Sequence, residues 1–341
     1  MKIFYKVLLV VVVVFAVLLL SGVLSAQGNS SNTFERVKEV QEKHTAKLMT
    51  IKGVVGTAVG VDADDKHDIK VFVEEAGVAG IPKKLDEVAV DVVVTGKIYA
   101  LPKPEGKPGG GTTINPKARF ARPVPIGVST GHPAITAGTI GCRVRDASGA
   151  VYALSNNHVY ANENLASIGD NVLQPGPYDG GVNPTDAIGT LSAFVPIKFD
   201  GSDNTVDAAI ALSSTANLGK ATPSNGYGTP KSTTATASIN MEVQKYGRTT
   251  GLTKGKIYAT NMTVDVWYDD TSVARFVGQL IITPGTFSAG GDSGSLIVKK
   301  DRIASENNKP VGLLFAGSDF YTIANPIDAV LTAFGVTIDG Q

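Results

Sequence analysis

The sequence predicts a mainly β chain: a large β body, barrel or sandwich, that ends in one C-terminal helix and is preceded by a small α/β unit. Three observations carry this. From about residue 120 onward, short runs of β-branched and apolar residues recur between clusters of Gly, Asn, Asp and Pro. Residues 33–48 instead place apolar side chains at helical spacing and lead into strand-like runs. Between the two regions, residues 101–118 hold prolines and glycines and almost nothing to bury, the composition of an exposed linker.

At the N-terminus, Lys2 and Lys6 precede an unbroken apolar run from Val7 to Leu20, followed by small residues up to Ala26. This is the three-part form of a secretory signal over residues 1–26, so the chain is expected to be secreted or otherwise extracytoplasmic. The alternative is an uncleaved N-terminal anchor, because adding Ser21 to Leu24 brings the run near the roughly 18 residues of a membrane span. A membrane is a partner only in that case.

Residues 27–100 are expected to form the small α/β domain. Its helix runs from Thr33, the expected cap, to Leu48, with Phe34, Val37, Val40 and Leu48 on one face. Strands are expected at Val54–Val61, Ile69–Val73 and Val88–Thr95, with Pro82–Glu87 as a short helical connection. Asp62, Asp64, Asp65 and Asp68 cluster between two strands without the glycine and distal glutamate of a calcium loop, so they read as a solvated hairpin turn. The unit is separable in this reading, with cleavage expected inside residues 101–118.

The β body, residues 119–341, carries strand-like runs at Thr139–Val144, Val151–Ser155, Ile188–Pro196, Ala208–Leu212, Glu242–Tyr246, Gly255–Trp267, Phe276–Thr283, Leu296–Val298 and Pro310–Phe315. Asn325 as cap, Pro326 at the first helical position and Gly335 as stop frame a final helix through Phe334. A formal charge of zero without a basic block gives no electrostatic reason to expect nucleic acid. Cys142 is the only cysteine, so no internal disulfide forms, and its apolar strand predicts a buried structural thiol. No pair of His or Cys has zinc-ligand spacing, and neither a metal nor a cofactor is expected. A monomer is expected.

The chemistry-bearing stretch is residues 286–298, where Ser293 lies among Gly290, Gly291 and Gly294 just before an apolar run. A serine hydroxyl attacks a carbonyl when a base takes its proton and fixed donors receive the developing negative charge. Side-chain-free glycines let the backbone amides of Gly291 and Ser293 serve as those donors. A glycine-rich turn alone would be bland, so the reading needs a base and an orienting acid. His158, after Ser155-Asn156-Asn157, and Asp207, which leads into Ala-Ala-Ile-Ala-Leu, supply them. His132 precedes a proline in a glycine-rich turn, while His44 and His67 belong to the N-terminal unit.

The order His158, Asp207, Ser293, with Asn-Asn-His-Val, Asp-Ala-Ala-Ile-Ala-Leu and Gly-Asp-Ser-Gly as its blocks, resembles the chymotrypsin/trypsin-like serine peptidases. Gly-Arg-Thr-Thr-Gly at 247–251 is similar to a block of secreted bacterial members, the alpha-lytic and streptogrisin-type enzymes. The resemblance implies two packed antiparallel β-barrels with the site in the cleft between them, and a secreted serine endopeptidase acting on protein or peptide substrates. It implies His158 as base, Asp207 as its orienting acid, Ser293 as nucleophile, and the amides of Gly291 and Ser293 as oxyanion hole. It also implies a peptide-pairing strand at Phe315, Ala316 and Gly317, and a buried Asp292 whose cationic partner is Lys245 or Arg248. Because bacterial members often carry a pro-region, residues 27–100 are placed to be one.

Departures stand beside the match. Asn156-Asn157 replaces the usual Ala-Ala before the histidine, and Ser295 replaces the second glycine after the serine. Phe315 stands where relatives often carry a serine bonded to the triad aspartate, leaving that bond without an obvious donor. Phe287, six before Ser293, argues against a preference for Lys or Arg. The alternative from another class is a catalytically inactive peptidase-fold protein that binds a peptide or protein partner. An esterase of the nucleophile-elbow kind fits less well, because Gly291-Asp292-Ser293-Gly294 lacks the final glycine and the Ser-first order.

Overall fold

The structure, a computed structural model, describes residues 33–100 and 114–341. The signal or anchor over residues 1–26 lies outside the described residues, as does all but the end of the 101–118 stretch. Among the described residues no helix is long and apolar enough to cross a membrane.

The N-terminal unit comprises helix α1 (33–48) and strands β1 (Val54–Val61), β2 (His67–Val73), β3 (Lys84–Leu85), β4 (Val88–Val94) and β5 (Ile98–Ala100). The helix is described from residue 33 onward, so the cap expected at Thr33 falls instead inside the helix. The apolar face read from the sequence is the one buried: Val37, Val40 and Leu48 pack on Val59, Ile69, Val71 and Val73, with Phe34 partly covered beside them. A fully buried valine or leucine of this kind contributes about 1.5–3 kcal/mol. The Asp62 turn closes the β1–β2 hairpin, its carboxylate accepting from the amides of Asp64 and Lys66. The helical connection expected over Pro82–Glu87 does not form. Asp86 and Glu87 have φ of 42° and 66°, outside right-handed helix space, and they turn β3 back antiparallel onto β4.

The body begins with β6 (Ser129–Thr130), β7 (Gly138–Thr139), β8 (Cys142–Asp146), β9 (Val151–Ser155), the short helix α2 (Asn157–Tyr160), β10 (Asn171–Leu173), β11 (Ala187–Phe194), β12 (Asp203–Asn204) and β13 (Ala209–Leu212). The pairings close into a barrel. β8 pairs β9, β9 pairs β13, β13 pairs β11 and β11 pairs β10, all antiparallel. A bridge from Leu173 to Gly131 returns β10 to β6, whose partner β7 runs on into β8. Inside lie Ile140, Cys142, Leu154, Tyr160, Leu191 and Ile210. Cys142 is a free, buried thiol whose pKa is pushed up by burial, the inert role read from its sequence context.

A second barrel follows from β14 (Glu242–Gly247), β15 (Gly251–Trp267), β16 (Val273–Thr283), β17 (Leu296–Lys299), β18 (Pro310–Gly317) and β19 (Thr322–Pro326). Its ring closes as β14–β15–β16–β19–β18–β17 and back to β14, again antiparallel throughout. The pair of barrels that the resemblance implies is therefore the observed architecture. Helix α3 (Ile327–Phe334) ends on Gly335 at φ 61°, and β20 (Val336–Ile338) carries the chain back to β8 of the first barrel. The cap of α3 is Pro326 rather than Asn325, because the Asn325 side chain is used elsewhere, on Gln279 and on the amide of Asp207.

β15 is much longer than its barrel requires. Beyond the part paired with β14, it pairs β1 through Gly56↔Val264 and Thr57↔Thr263, so the N-terminal strands extend the sheet of the second barrel. The other face of that extension buries Val55, Ala58 and Phe72 against Met262, Val264, Phe276 and Phe315. A bulge at Asn261, φ 53°, aims its amide at Gln41 of α1. Within the last residues of the 101–118 stretch, Asn115 and Ala118 are exposed, whereas Pro116 is buried and its carbonyl accepts the Ser129 amide at the start of the first barrel.

Candidate active site

His158 is set by the strand before it. β9 ends at Ser155, whose hydroxyl donates to the Thr139 carbonyl at 2.8 Å, and the chain then turns into α2 with Val159 and Tyr160 buried in the first barrel. Asn156 and Asn157, the departures from the usual Ala-Ala, fasten this turn. Asn156 Nδ2 donates to the Asp207 carbonyl at 2.8 Å, and Asn157 Nδ2 donates to Asn164 Oδ1 and the Val195 carbonyl.

Asp207 is fully buried just before β13, and its carboxylate is saturated with donors. Oδ1 accepts from the amides of Asn157 at 2.7 Å and His158 at 3.3 Å. Oδ2 lies 2.6 Å from His158 Nδ1 and 2.7 Å from the Tyr268 hydroxyl, which donates to it. A buried carboxylate needs such compensation. The Asp207 amide donates to Asn325 Oδ1 of the second barrel, so the residue that orients the imidazole is fixed by both barrels.

Tyr268 supplies the bond that Phe315 cannot. It follows β15 directly, its ring stands edge-on to His158 at 6.1 Å and to Phe199 at 5.3 Å, and its hydroxyl pKa is raised well above the ordinary value by burial and then by the Asp207 charge. It therefore remains a hydrogen-bond donor. Phe315 is buried instead against Phe276 at 4.7 Å. Nearby, the Glu163 carboxyl is pushed up by burial, with the His158 charge opposing that shift.

The Ser293 loop follows a short 3-10 turn at Gly285–Phe287 and leads into β17. Its glycines are required at two places. Gly291 has φ 91°, and a Cβ on it would meet Thr249 Oγ1 at 2.7 Å; Gly294 has φ 90°, and a Cβ there would meet Ser155 Oγ at 2.1 Å. That close approach brings the loop against the first barrel, where the Thr139 amide donates to the Ser293 carbonyl at 2.8 Å. Both Ser293 and the segment leading to His158 are thus pinned to Thr139. Ser293 Oγ and His158 Nε2 are buried and make no hydrogen bond among the described residues.

Two peptide planes in the loop are clamped from behind. Thr249 Oγ1 donates to the Gly290 carbonyl at 2.6 Å, and Ser295 Oγ donates to the Asp292 carbonyl at 2.6 Å. In a planar trans peptide the N–H points opposite to its C=O, so these bonds turn the amides of Gly291 and Ser293 the other way. Neither amide donates to a backbone carbonyl among the described residues. Ser295, a departure from the usual glycine, is one of the two clamps.

Asp292 pairs with Lys245 at 3.2 Å, both side chains fully buried, and its carboxylate also accepts from the amides of Ala289, Thr249 and Thr250 and from the Thr250 hydroxyl. Lys245 in turn bonds Thr250 Oγ1 and the Gly251 carbonyl, and burial lowers its pKa while Asp292 opposes that. Arg248, the other cation considered for Asp292, pairs with Asp179 of the first barrel instead. Phe287 is fully buried in the core of the second barrel beside Ile257, Ile282 and Leu314, so a pocket-setting role does not follow from its position.

Ala316 and Gly317 continue β18 past the Ser293 loop, with Phe315 beside them. They already carry a strand: β5 pairs antiparallel as Ala316↔Ala100 and Gly317↔Tyr99. The described residues contain no group of His, Cys, Asp or Glu suited to hold a metal ion.

The family described as the Nal1 C-terminal domain matches residues 128–322. No curated protein matches the chain. Solved structures similar to it include a glutamic acid specific serine protease, at 23% identity and TM-score 0.46, covering 63% of this chain and 100% of that one. The Nocardiopsis protease is 18% identical with TM-score 0.43, covering 63% and 99%. Thermobifida fusca protease A is 18% identical with TM-score 0.44, covering 64% and 100%.

Proposed function

The chain belongs to the Nal1 C-terminal domain family, and we propose that it is an exported serine endopeptidase that cleaves peptide bonds by acyl transfer. Residues 119–341 form the peptidase domain in this reading, and the signal-like N-terminus carries the export. The observation that carries it is the 2.6 Å contact of His158 Nδ1 with Asp207, while His158 Nε2 and Ser293 Oγ keep their bonding capacity unspent.

The chemistry follows from the arrangement. Ser293 Oγ attacks the scissile carbonyl carbon as His158 Nε2 takes its proton. The carbonyl oxygen, now negative, is received by the amides of Gly291 and Ser293, which the Thr249 and Ser295 clamps keep oriented without reorganisation. Asp207 holds Nδ1–H and stabilises the imidazolium. Collapse of the intermediate breaks the C–N bond, the amine leaves with the proton from His158, and water then releases the acyl group by the same steps in reverse. The extended substrate pairs with Phe315, Ala316 and Gly317.

A second reading, a peptidase-fold protein that binds peptides without cleaving them, is favoured by one observation: Ser293 Oγ and His158 Nε2 are not bonded to each other. Catalytic hydrogen bonds often tighten only with substrate bound, so this geometry is compatible with activity. Hydrolysis of a labelled peptide library by the full chain and by Ser293→Ala, His158→Ala and the double variant separates the two. A peptidase loses about as much activity in either single variant as in the double. A binding protein yields no Ser293-dependent product.

A further inference from the structure

We infer that Arg248 is a positioning residue for the Gly291 amide: its side chain and its backbone N–H direct the two threonine hydroxyls that hold the peptide groups on either side of Gly291. This rests on the proposed role of that amide as a donor to the oxyanion. Arg248 follows β14 and is 1% exposed. Its side chain lies directly behind the Ser293 loop, since a Cβ on Gly291 would meet Arg248 Cδ at 3.0 Å and Nη1 at 3.1 Å. A hydroxyl carries one proton, and a donor aimed at its oxygen leaves that proton for another acceptor. Arg248 supplies such a donor twice. Nη1 donates to Thr249 Oγ1 at 3.0 Å, and Thr249 Oγ1 donates to the Gly290 carbonyl at 2.6 Å. The Arg248 amide donates to Thr139 Oγ1 at 3.0 Å, and that hydroxyl donates to the Gly291 carbonyl at 2.9 Å. Both peptide planes that meet at Gly291, φ 91°, are thereby fixed.

The direction of the guanidinium is itself set by the first barrel. Nε and Nη2 take both carboxylate oxygens of Asp179, at 2.7 and 2.5 Å, a planar fork that a lysine does not reproduce. Asp179 ends the 3-10 turn Pro177–Asp179 and also accepts from Ser129 Oγ at 2.6 Å. Tyr178 of the same turn places its ring 5.4 Å from the guanidinium carbon. With Nε and Nη2 committed to Asp179, Nη1 is held toward Thr249 and cannot swing away. A bond chain therefore runs from Asp179 of the first barrel through Arg248 and Thr249 to the peptide whose N–H is that of Gly291. The Ser293 amide stands outside this chain, because its peptide is held by Ser295.

The test uses the full chain, Arg248→Lys, Thr249→Val and the double variant. Arg248→Lys keeps the charge and the backbone N–H but cannot hold Asp179 and Thr249 together. With rates divided by the sites that a fluorophosphonate titrates, Arg248→Lys is expected to lower kcat about tenfold with KM near its starting value. Because Arg248 acts through Thr249, the double variant should lose no more than Thr249→Val alone. An unchanged kcat in Arg248→Lys, a loss carried by KM, or losses that multiply in the double variant overturn the inference. A second readout needs no catalysis. With glycine labelled by 13C at its carbonyl and by 15N, only Gly-Gly steps give carbonyl-to-amide correlation peaks, and the sequence has four, at 109–110, 110–111, 180–181 and 290–291. The 290–291 peak, identified by its loss in Gly290→Ala, should broaden through exchange between peptide orientations in Arg248→Lys and Thr249→Val alike. A peak as sharp in Arg248→Lys as in the parent overturns the inference. Absence of fluorophosphonate labelling in every protein strikes the catalytic reading and leaves this peak to decide the positioning. If Arg248→Lys loses its cooperative unfolding transition, Asp179→Asn, which keeps one acceptor for the guanidinium, is read in the same way.

Discussion

The Tyr268 hydroxyl donates to Asp207 Oδ2 at 2.7 Å, the same oxygen that meets His158 Nδ1 at 2.6 Å. An aromatic hydroxyl from the end of β15 thus completes the carboxylate that orients the imidazole. Tyr268→Phe should keep the fold and lower kcat/KM about tenfold with KM little changed, the scale of one hydrogen bond to a charged group. Steady-state kinetics on extended peptides measures it. A loss that comes only from a raised KM, with kcat unchanged, would place Tyr268 in substrate binding instead.

Ser295→Ala and Thr249→Val release the carbonyls of Asp292 and Gly290 that fix the two amides. Each should lower kcat by about tenfold or more, below the loss expected for deleting a donor outright, with KM near its starting value. Wild-type kcat in both variants would mean that the peptide planes hold without the clamps.

Lys245→Met leaves Asp292 buried without its cation, and removal of one partner from such a pair costs about 3–5 kcal/mol. Urea unfolding should register a loss of this size. A loss under about 1 kcal/mol would mean that the four amide and hydroxyl donors to Asp292 suffice without the ammonium.

Asp269, next to Tyr268, accepts from the amides and hydroxyls of Thr271 and Ser272, chiefly the amides, which lower its pKa from 3.8 to about 2. A carboxylate depressed in the fold stabilises it above the unfolded pKa, and that contribution disappears as pH falls through the folded one. Asp269→Ala should therefore be less stable than the parent at pH 6, with the difference shrinking as pH falls from about 4 toward 2. A stability difference that persists unchanged to pH 2 would mean that the Asp269 carboxylate is not held ionised by these donors.

Much of the candidate site was legible because each of the three side chains brought together there sits in a short local pattern. His158 follows a strand, Asp207 precedes one, and Ser293 lies among glycines, so each was recoverable from its neighbours. Tyr268 was not, because it reaches Asp207 across 61 residues through a hairpin end that carries no pattern of its own. The choice between Lys245 and Arg248 for Asp292 depended on side-chain direction. Consecutive strand residues alternate faces, but the intervening Gly247–Arg248 step leaves the strand, and only packing shows Arg248 crossing to Asp179.

The β body was legible from runs of β-rich residues and its division into two barrels from the family resemblance, the N-terminal packing less so. The continuation of β15 onto β1 was hidden because pairing between distant strands leaves no trace in either segment. β5 is three residues long, too short for a periodicity to register. Pro82–Glu87 misled in the opposite direction, since an acidic pair after a proline resembles a helix start, while the left-handed angles of Asp86 and Glu87 are decided by the hairpin they close.

The central claim is that Ser293 is a nucleophile activated by His158. The most direct measurement is reaction of the full chain with a fluorophosphonate carrying a reporter, followed by peptide mapping of the modified residue. The account expects a single adduct on Ser293, lost in Ser293→Ala and strongly slowed in His158→Ala, with all three proteins folded. A folded protein that leaves Ser293 unmodified, or an adduct that forms equally fast in His158→Ala, would contradict it.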